Sequence, residues 1–182
     1  MPLSPASRNS RFSAEVLPHG AAAYNLARWL SRNESDARDI VQESFARALQ
    51  YFEGYRGGDA RSWLLRIVRN TASTWLAARP ATAQAGLEDT DEPLEIVPGS
   101  GALRDADPLG AVISQDEARL LRQAIARLPP EYREVLVLRE FEDLAYKQIA
   151  AIVGCPIGTV MSRLARARDE LGERLRAESP SS

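Results

Sequence analysis

A chain of 182 residues with 45% hydrophobic side chains is long enough to bury a core in one large domain or two small ones. Its one cysteine, Cys155, and one histidine, His19, are too few to build a disulfide or a zinc site, so no metal and no cofactor are expected, and the setting expected is reducing and cytoplasmic. The net charge of −2 hides opposed segments: residues 1–79 carry eleven Arg against seven acids, residues 80–116 one Arg against eight acids, and residues 117–182 eleven Lys plus Arg against ten acids.

In chain order, apolar periodicity predicts helices over about residues 21–32, 34–52 and 59–78. The first buries Ala22, Leu26, Trp29 and Leu30. In the second, Asn33 or Ser35 serves as cap, Glu34 and Asp36 suit the positive helix start, and Ala37, Ile40, Val41, Phe45, Ala48 and Phe52 form the buried stripe. Its other face groups Asp39, Gln42 and Glu43, an acidic and amide patch that fits either plain solvated surface or a seat for arginines of a partner helix. The third helix sets a core stripe of Leu64, Ile67, Val68 and Leu76 against Arg66, Arg69, Asn70 and Ser73. With Tyr51, Phe52, Tyr55, Trp63 and Trp75 close in sequence, cations, amides and aromatics combine as in a single-strand binder, although about half of these rings are expected in the core.

From residue 80 to residue 116 the prolines and glycines, among them Pro93, Pro98, Gly99, Gly101, Pro108 and Gly110, interrupt every candidate helix, and this acidic stretch reads as a linker. Beyond it, Tyr146, Ala150, Gly154 and Val160 stand at the spacings of a helix-turn-helix: a small residue for close crossing, a glycine for a left-handed turn, a branched residue to bury the second helix. Pro156 suits a helix's first turn. Thr159, Ser162, Arg163 and Arg166 then fall on one face, and Val160, Leu164, Ala167, Leu171 and Leu175 on the other. The fold class expected is all-α: two small helical domains, 1–79 and 117–182, joined by a flexible acidic linker, the second containing a helix-turn-helix. Duplex DNA is the leading partner. No apolar run approaches the roughly 18 residues that span a bilayer, so membrane insertion is not expected. No nucleophile has a base patterned beside it, so no enzyme is expected.

Four ordered motifs carry a resemblance. Asp36-Ala37-Arg38-Asp39-Ile40-Val41-Gln42-Glu43-Ser44-Phe45 is similar to the polymerase-binding helix of bacterial RNA polymerase sigma factors of the extracytoplasmic-function (ECF) class. Ser62-Trp63-Leu64-Leu65-Arg66-Ile67-Val68-Arg69-Asn70-Thr71-Ala72 resembles that family's helix that reads and opens the −10 element. Leu128-Pro129-Pro130-Glu131-Tyr132-Arg133-Glu134-Val135-Leu136 and Gly154-Cys155-Pro156-Ile157-Gly158-Thr159-Val160-Met161-Ser162-Arg163-Leu164 resemble the start of its carboxy-terminal domain and its −35 recognition helix.

The resemblance implies that Asp39, Gln42 and Glu43 dock on the clamp helices of the polymerase β′ subunit, with the β subunit as a further contact. It implies −10 contacts from Tyr55, Arg61, Trp63, Arg66, Arg69, Asn70 and Ser73, and a flipped non-template base held by the loop over about residues 54–62. It implies −35 contacts from Thr159, Met161, Ser162, Arg163 and Arg166, a linker running through polymerase channels, and an anti-sigma factor as inhibitory partner. Met161 stands where relatives often carry Lys or Arg, which shifts −35 reading toward Ser162 and Arg166, and Thr74 stands where many have Asp. A sigma mimic that titrates an anti-sigma factor and an operator-binding helix-turn-helix regulator are the alternative readings.

Overall fold

A computed structural model of the chain describes residues 5–80 and 115–178, and all regular structure among them is helical. The amino-terminal half contains α1 (Pro5–Glu15), α2 (Gly20–Ser31), α3 (Glu34–Tyr51) and α4 (Ala60–Ala77), with short 3-10 turns at Leu17–His19 and Phe52–Gly54. The carboxy-terminal half contains α5 (Gln115–Ala126), α6 (Pro130–Glu140), α7 (Tyr146–Val153) and α8 (Ile157–Glu178). Of the acidic stretch expected over residues 80–116, only Pro80, Gln115 and Asp116 are among the described residues, and the latter two begin α5.

The helix ends follow from local chemistry. Asn33 accepts a hydrogen bond from the Asp36 N–H at 2.9 Å and starts α3, and Asp59 accepts from the Ser62 N–H at 3.0 Å and starts α4. Helix α2 stops where Arg32 turns left-handed, at φ 56°. Inside the half, α2, α3 and α4 pack mutually around Leu26, Trp29, Ile40, Leu64, Leu65 and Val68, all buried. Helix α1, which hydrophobic periodicity does not reveal, is polar except where Phe12 sets its ring edge-on to Phe52 at 5.2 Å. Arg8 ties the same helix to Glu53 at 2.9 Å.

The sequence suggests two separate cores; the structure joins them. Helix α2 packs on α6 and α4 packs on α7, and the buried apolar cluster runs through both halves without a break. Trp29 lies 5.3 Å from Phe141 across the junction. Glu142 is fully buried and ion-paired with Arg61, Glu134 receives Arg69 Nε at 2.7 Å, and Gln148 Nε2 donates to Asp59 Oδ2 at 2.6 Å. Neither Glu134 nor Glu142 has an oppositely charged neighbour patterned beside it in the sequence reading above. They are buried because an arginine from the other half meets each of them.

His19, at the end of the first 3-10 turn, shares this neighbourhood. Burial, and then the charge of Arg61, hold its pKa below the ordinary 6.5, with Asp59 opposing. The unfolded chain therefore binds the proton more readily, so the stability contributed by neutral His19 is present above pH 6.5 and is lost as the pH falls from there to the lowered value. Thermal melts between about pH 5 and 7.5 should show this decline, and His19→Gln should flatten it.

Candidate nucleic-acid interface

On α3, Asp39 and Gln42 are exposed side by side, while Glu43 is half-buried and paired with Arg47 at 2.7 Å. Among the described residues Asp39 has no ion-pair partner, and with the Gln42 amide beside it the patch is able to receive basic side chains.

Helix α4 divides the residues of its expected DNA face into two groups. Arg66, Asn70 and Ser73 are exposed on its outer side, one helical turn apart, and the Thr74 hydroxyl turns back to the Asn70 carbonyl oxygen at 3.1 Å. Arg61 and Arg69 instead face the carboxy-terminal half, where Glu142 and Glu134 hold them. Tyr55 is buried beneath the loop that precedes α4: its ring stacks on Phe52 at 5.5 Å and its hydroxyl donates to the Gly58 carbonyl oxygen at 3.0 Å. Burial, then the charge of Glu15, push its phenol pKa up. Trp63 is half-buried, 4.8 Å from Tyr55 and 6.3 Å from Phe52, so one side of its ring supports the loop while the other remains reachable. Gly57 and Gly58, at φ 88° and 100°, make the turn. Asp59 closes it; although burial works against its carboxylate, donors from Ser62 and Gln148 and the charge of Arg61 hold its pKa below the ordinary value.

Helices α7 and α8 meet at a 100° bend, the angle of a helix-turn-helix. Gly154 makes the turn at φ 77°, its N–H bonded to the Ala150 carbonyl oxygen at 2.9 Å, and the Val160 N–H bonds back to Pro156 at 3.2 Å. Val160, Leu164 and Ala167 are buried, fastening α8 beneath α6 and α7. Among the described residues nothing lies within 4 Å of a Cβ placed on Gly154, so a substitution there meets only backbone strain. Gly154→Ala should cost about 1–2 kcal/mol in a denaturant melt and Gly154→Asn less.

The outer face of α8 presents Met161, Ser162 and Arg166, all exposed. Arg166 is hydrogen-bonded by Tyr132, which favours its charged form. Thr159 is half-buried, and Arg163 turns toward an open cleft of about 900 Å³ between the halves, shared with Arg32, Arg69, Arg133, Glu134 and Arg174. Burial, then the charge of Arg32, push the Arg133 pKa down to about 10, and its guanidinium donates to the Ala126 carbonyl oxygen at 2.5 Å. Thus the helical period groups Ser162 and Arg166 on one exposed face but does not report that Arg163 sits at its edge. Glu142 and Gln148 are absent from the sequence reading, and the motif that contains Glu134 does not mark it as a partner of α4.

Comparison with known proteins accords with this geometry. Residues 16–80 match the family model for Sigma-70 region 2, and residues 118–171 match that for Sigma-70, region 4. The chain is 38% identical over 155 residues to an ECF RNA polymerase sigma-E factor of Haemophilus influenzae, covering 82% of this chain and 79% of the relative. It is likewise 38% identical over 145 residues to the RNA polymerase sigma-H factor of Pseudomonas aeruginosa, covering 77% and 73%. Among solved structures it is similar to the sigma factor RpoE of Bartonella quintana, crystallised with the anti-sigma factor NepR, with TM-score 0.66, 26% identity, and coverage of 93% of this chain and 99% of that one. A helix-turn-helix exposing Ser162 and Arg166, an acidic and amide patch on α3 and an amide-bearing face on α4 thus occur together in a chain that belongs to the ECF RNA polymerase sigma factors, which bind core polymerase and direct it to specific promoters.

Proposed function

We propose that the three faces divide the work of initiation: Asp39, Gln42 and Glu43 seat the chain on the β′ clamp helices, the outer side of α4 traps the melted non-template strand, and α8 reads the −35 element. The observation that carries this reading is the sidedness of α8, whose buried Val160, Leu164 and Ala167 leave Met161, Ser162 and Arg166 facing outward on a helix held at its base. The protein supplies binding energy only. Unstacking a base step costs on the order of 1–2 kcal/mol, and an aromatic or cationic contact to the freed base returns on the order of 1–3, so a few contacts hold an opened bubble without nucleotide hydrolysis or any catalytic group of this chain.

On this assignment Asn70, Arg66 and Ser73 are ready for DNA as the structure stands. Arg61 and Arg69 are engaged by Glu142 and Glu134, so full −10 reading requires the halves to part, as does any simultaneous reading of two separated DNA elements. An anti-sigma factor is the inhibitory partner in this reading, supported by the likeness to a sigma factor crystallised with one. The site of action is the cytoplasm, where polymerase and promoters are.

Reconstitution of core polymerase with this protein tests the reading through specific run-off transcripts from genomic DNA. Asn70→Ala should impair opening more than closed-complex formation, and Arg166→Ala should weaken −35 recognition. Equal, small effects of both would overturn the residue roles. Failure to associate with core polymerase, with tight unaided binding to duplex DNA, would favour an operator-binding regulator.

A further inference from the structure

Two large apolar side chains stand exposed on the recognition helix: Ile157 at 44% and Met161 at 53% of their surface. They lie one helical turn apart and on the same flank, with Ala165, also exposed, one turn further on. Neither Ile157 nor Met161 lines the cleft between the halves, so closure of the molecule does not cover them. The nearest charge on this flank, Arg168, is tied back to Glu140 at 2.7 Å. The flank therefore carries apolar surface where the adjoining strip, Ser162 and Arg166, carries a hydroxyl and a guanidinium.

Across the base edges of the major groove, donors and acceptors dominate, and the group with apolar character is the thymine 5-methyl. We propose that Met161 and Ile157 are specificity determinants that read thymine 5-methyl groups in the −35 element, Met161 packing on one methyl and Ile157 on another a step away. This rests on the assignment of α8 as the −35 helix. The flexible thioether chain of Met161 follows the groove without a fixed hydrogen-bond geometry, so it selects for the methyl and tolerates variation in the partner strand. Arg166 and Ser162 supply the polar half of the same face, contacting base edges or phosphate alongside.

Replacing thymine by uracil removes the methyl and leaves every hydrogen-bonding group of the base pair in place. Holoenzyme made with this protein is bound to a promoter found by run-off transcription, in duplexes in which each −35 thymine on either strand is changed singly to uracil. Burial of one methyl is worth ~0.8 kcal/mol, so the contacted positions should each lose about fourfold in affinity. Met161→Ala should bind the thymine and uracil duplexes equally at one of those positions and keep the discrimination at the other; Ile157→Ala should do the reverse. Promoter-specific binding with no sensitivity to uracil anywhere in the element would overturn the inference while leaving the sigma-factor role intact. So would unaltered discrimination in both variants, or a uniform loss on every promoter with no thymine dependence, the result expected if the pair docks on a protein. Absence of specific promoter binding by wild-type holoenzyme would instead overturn the −35 assignment itself, and the inference with it.

Discussion

Arg61→Glu is expected to separate the two halves of the free protein. Glu142 is wholly buried, and in the variant it would face a second carboxylate in place of a guanidinium. Removing one partner of a buried ion pair costs about 3–5 kcal/mol when the surviving charge stays buried. Here the charge has an exit, since parting of α4 from α7 returns Glu142 to water. The effect should therefore show in size before it shows in helicity. Small-angle scattering should give a radius of gyration near the ~16 Å of a compact chain of this length for the wild type, and several ångströms more for the variant, with the circular dichroism spectrum unchanged. Combining Arg61→Glu with Glu142→Arg should restore much of the compactness, the coupling that a double-mutant cycle isolates. An unchanged radius in the single variant would show that the apolar junction around Trp29 and Phe141 suffices to hold the halves together.

Trp29→Ala should have the largest effect on stability. The side chain is 1% exposed, contributes to the core of α2, α3 and α4, and touches Phe141 across the junction. Truncation removes a large ring from a site walled by two halves and should cost about 3–5 kcal/mol, a fall in melting temperature of roughly 10 °C. Trp29→Phe provides the contrast. The indole Nε1 is buried without a hydrogen-bond partner among the described residues, so phenylalanine forfeits ring volume but no hydrogen bond, and its cost should be about 1–2 kcal/mol. A larger loss on Trp29→Phe than on Trp29→Ala would contradict this account.

How much of this could be read from the residues depends on whether the signal is local. The three amino-terminal helices expected over 21–32, 34–52 and 59–78 occur as Gly20–Ser31, Glu34–Tyr51 and Ala60–Ala77, because Asn33 and Asp59 write their starts in side-chain hydrogen bonds. Gly154 writes the turn of the helix-turn-helix in the same way. The core stripes are equally legible, since Ile40, Leu64, Val68, Val160 and Leu164 repeat at the helical period and are buried.

What escaped is contact at long range. Helix α1 has too few apolar positions to show a stripe and is held by Phe12 and Arg8 against residues some forty positions away. Glu134 and Glu142 are met by Arg69 and Arg61 from more than sixty positions away, which no local spacing reports. Among the candidate site residues, Asn70 and Ser162, whose surroundings come from their own helix, are exposed as the period places them, and so is Arg166 although Tyr132 of α6 meets it. Those whose surroundings come from elsewhere, Tyr55, Arg61, Arg69 and Arg163, are turned inward or engaged, and no pattern within a single helix reports that.

Gln148 has a double attachment that bears on how the halves come apart. Its side-chain oxygen accepts from the Ala145 N–H at 2.8 Å at the start of α7, while its amide reaches Asp59, itself the residue that starts α4. When that single bridging bond gives way to water, both helix beginnings keep their own fastening. Neither helix start has to fray when this bond breaks, so parting of the seam, once the Arg61 and Arg69 ion pairs and the apolar junction also yield, involves whole preformed pieces and leaves no refolding to complete.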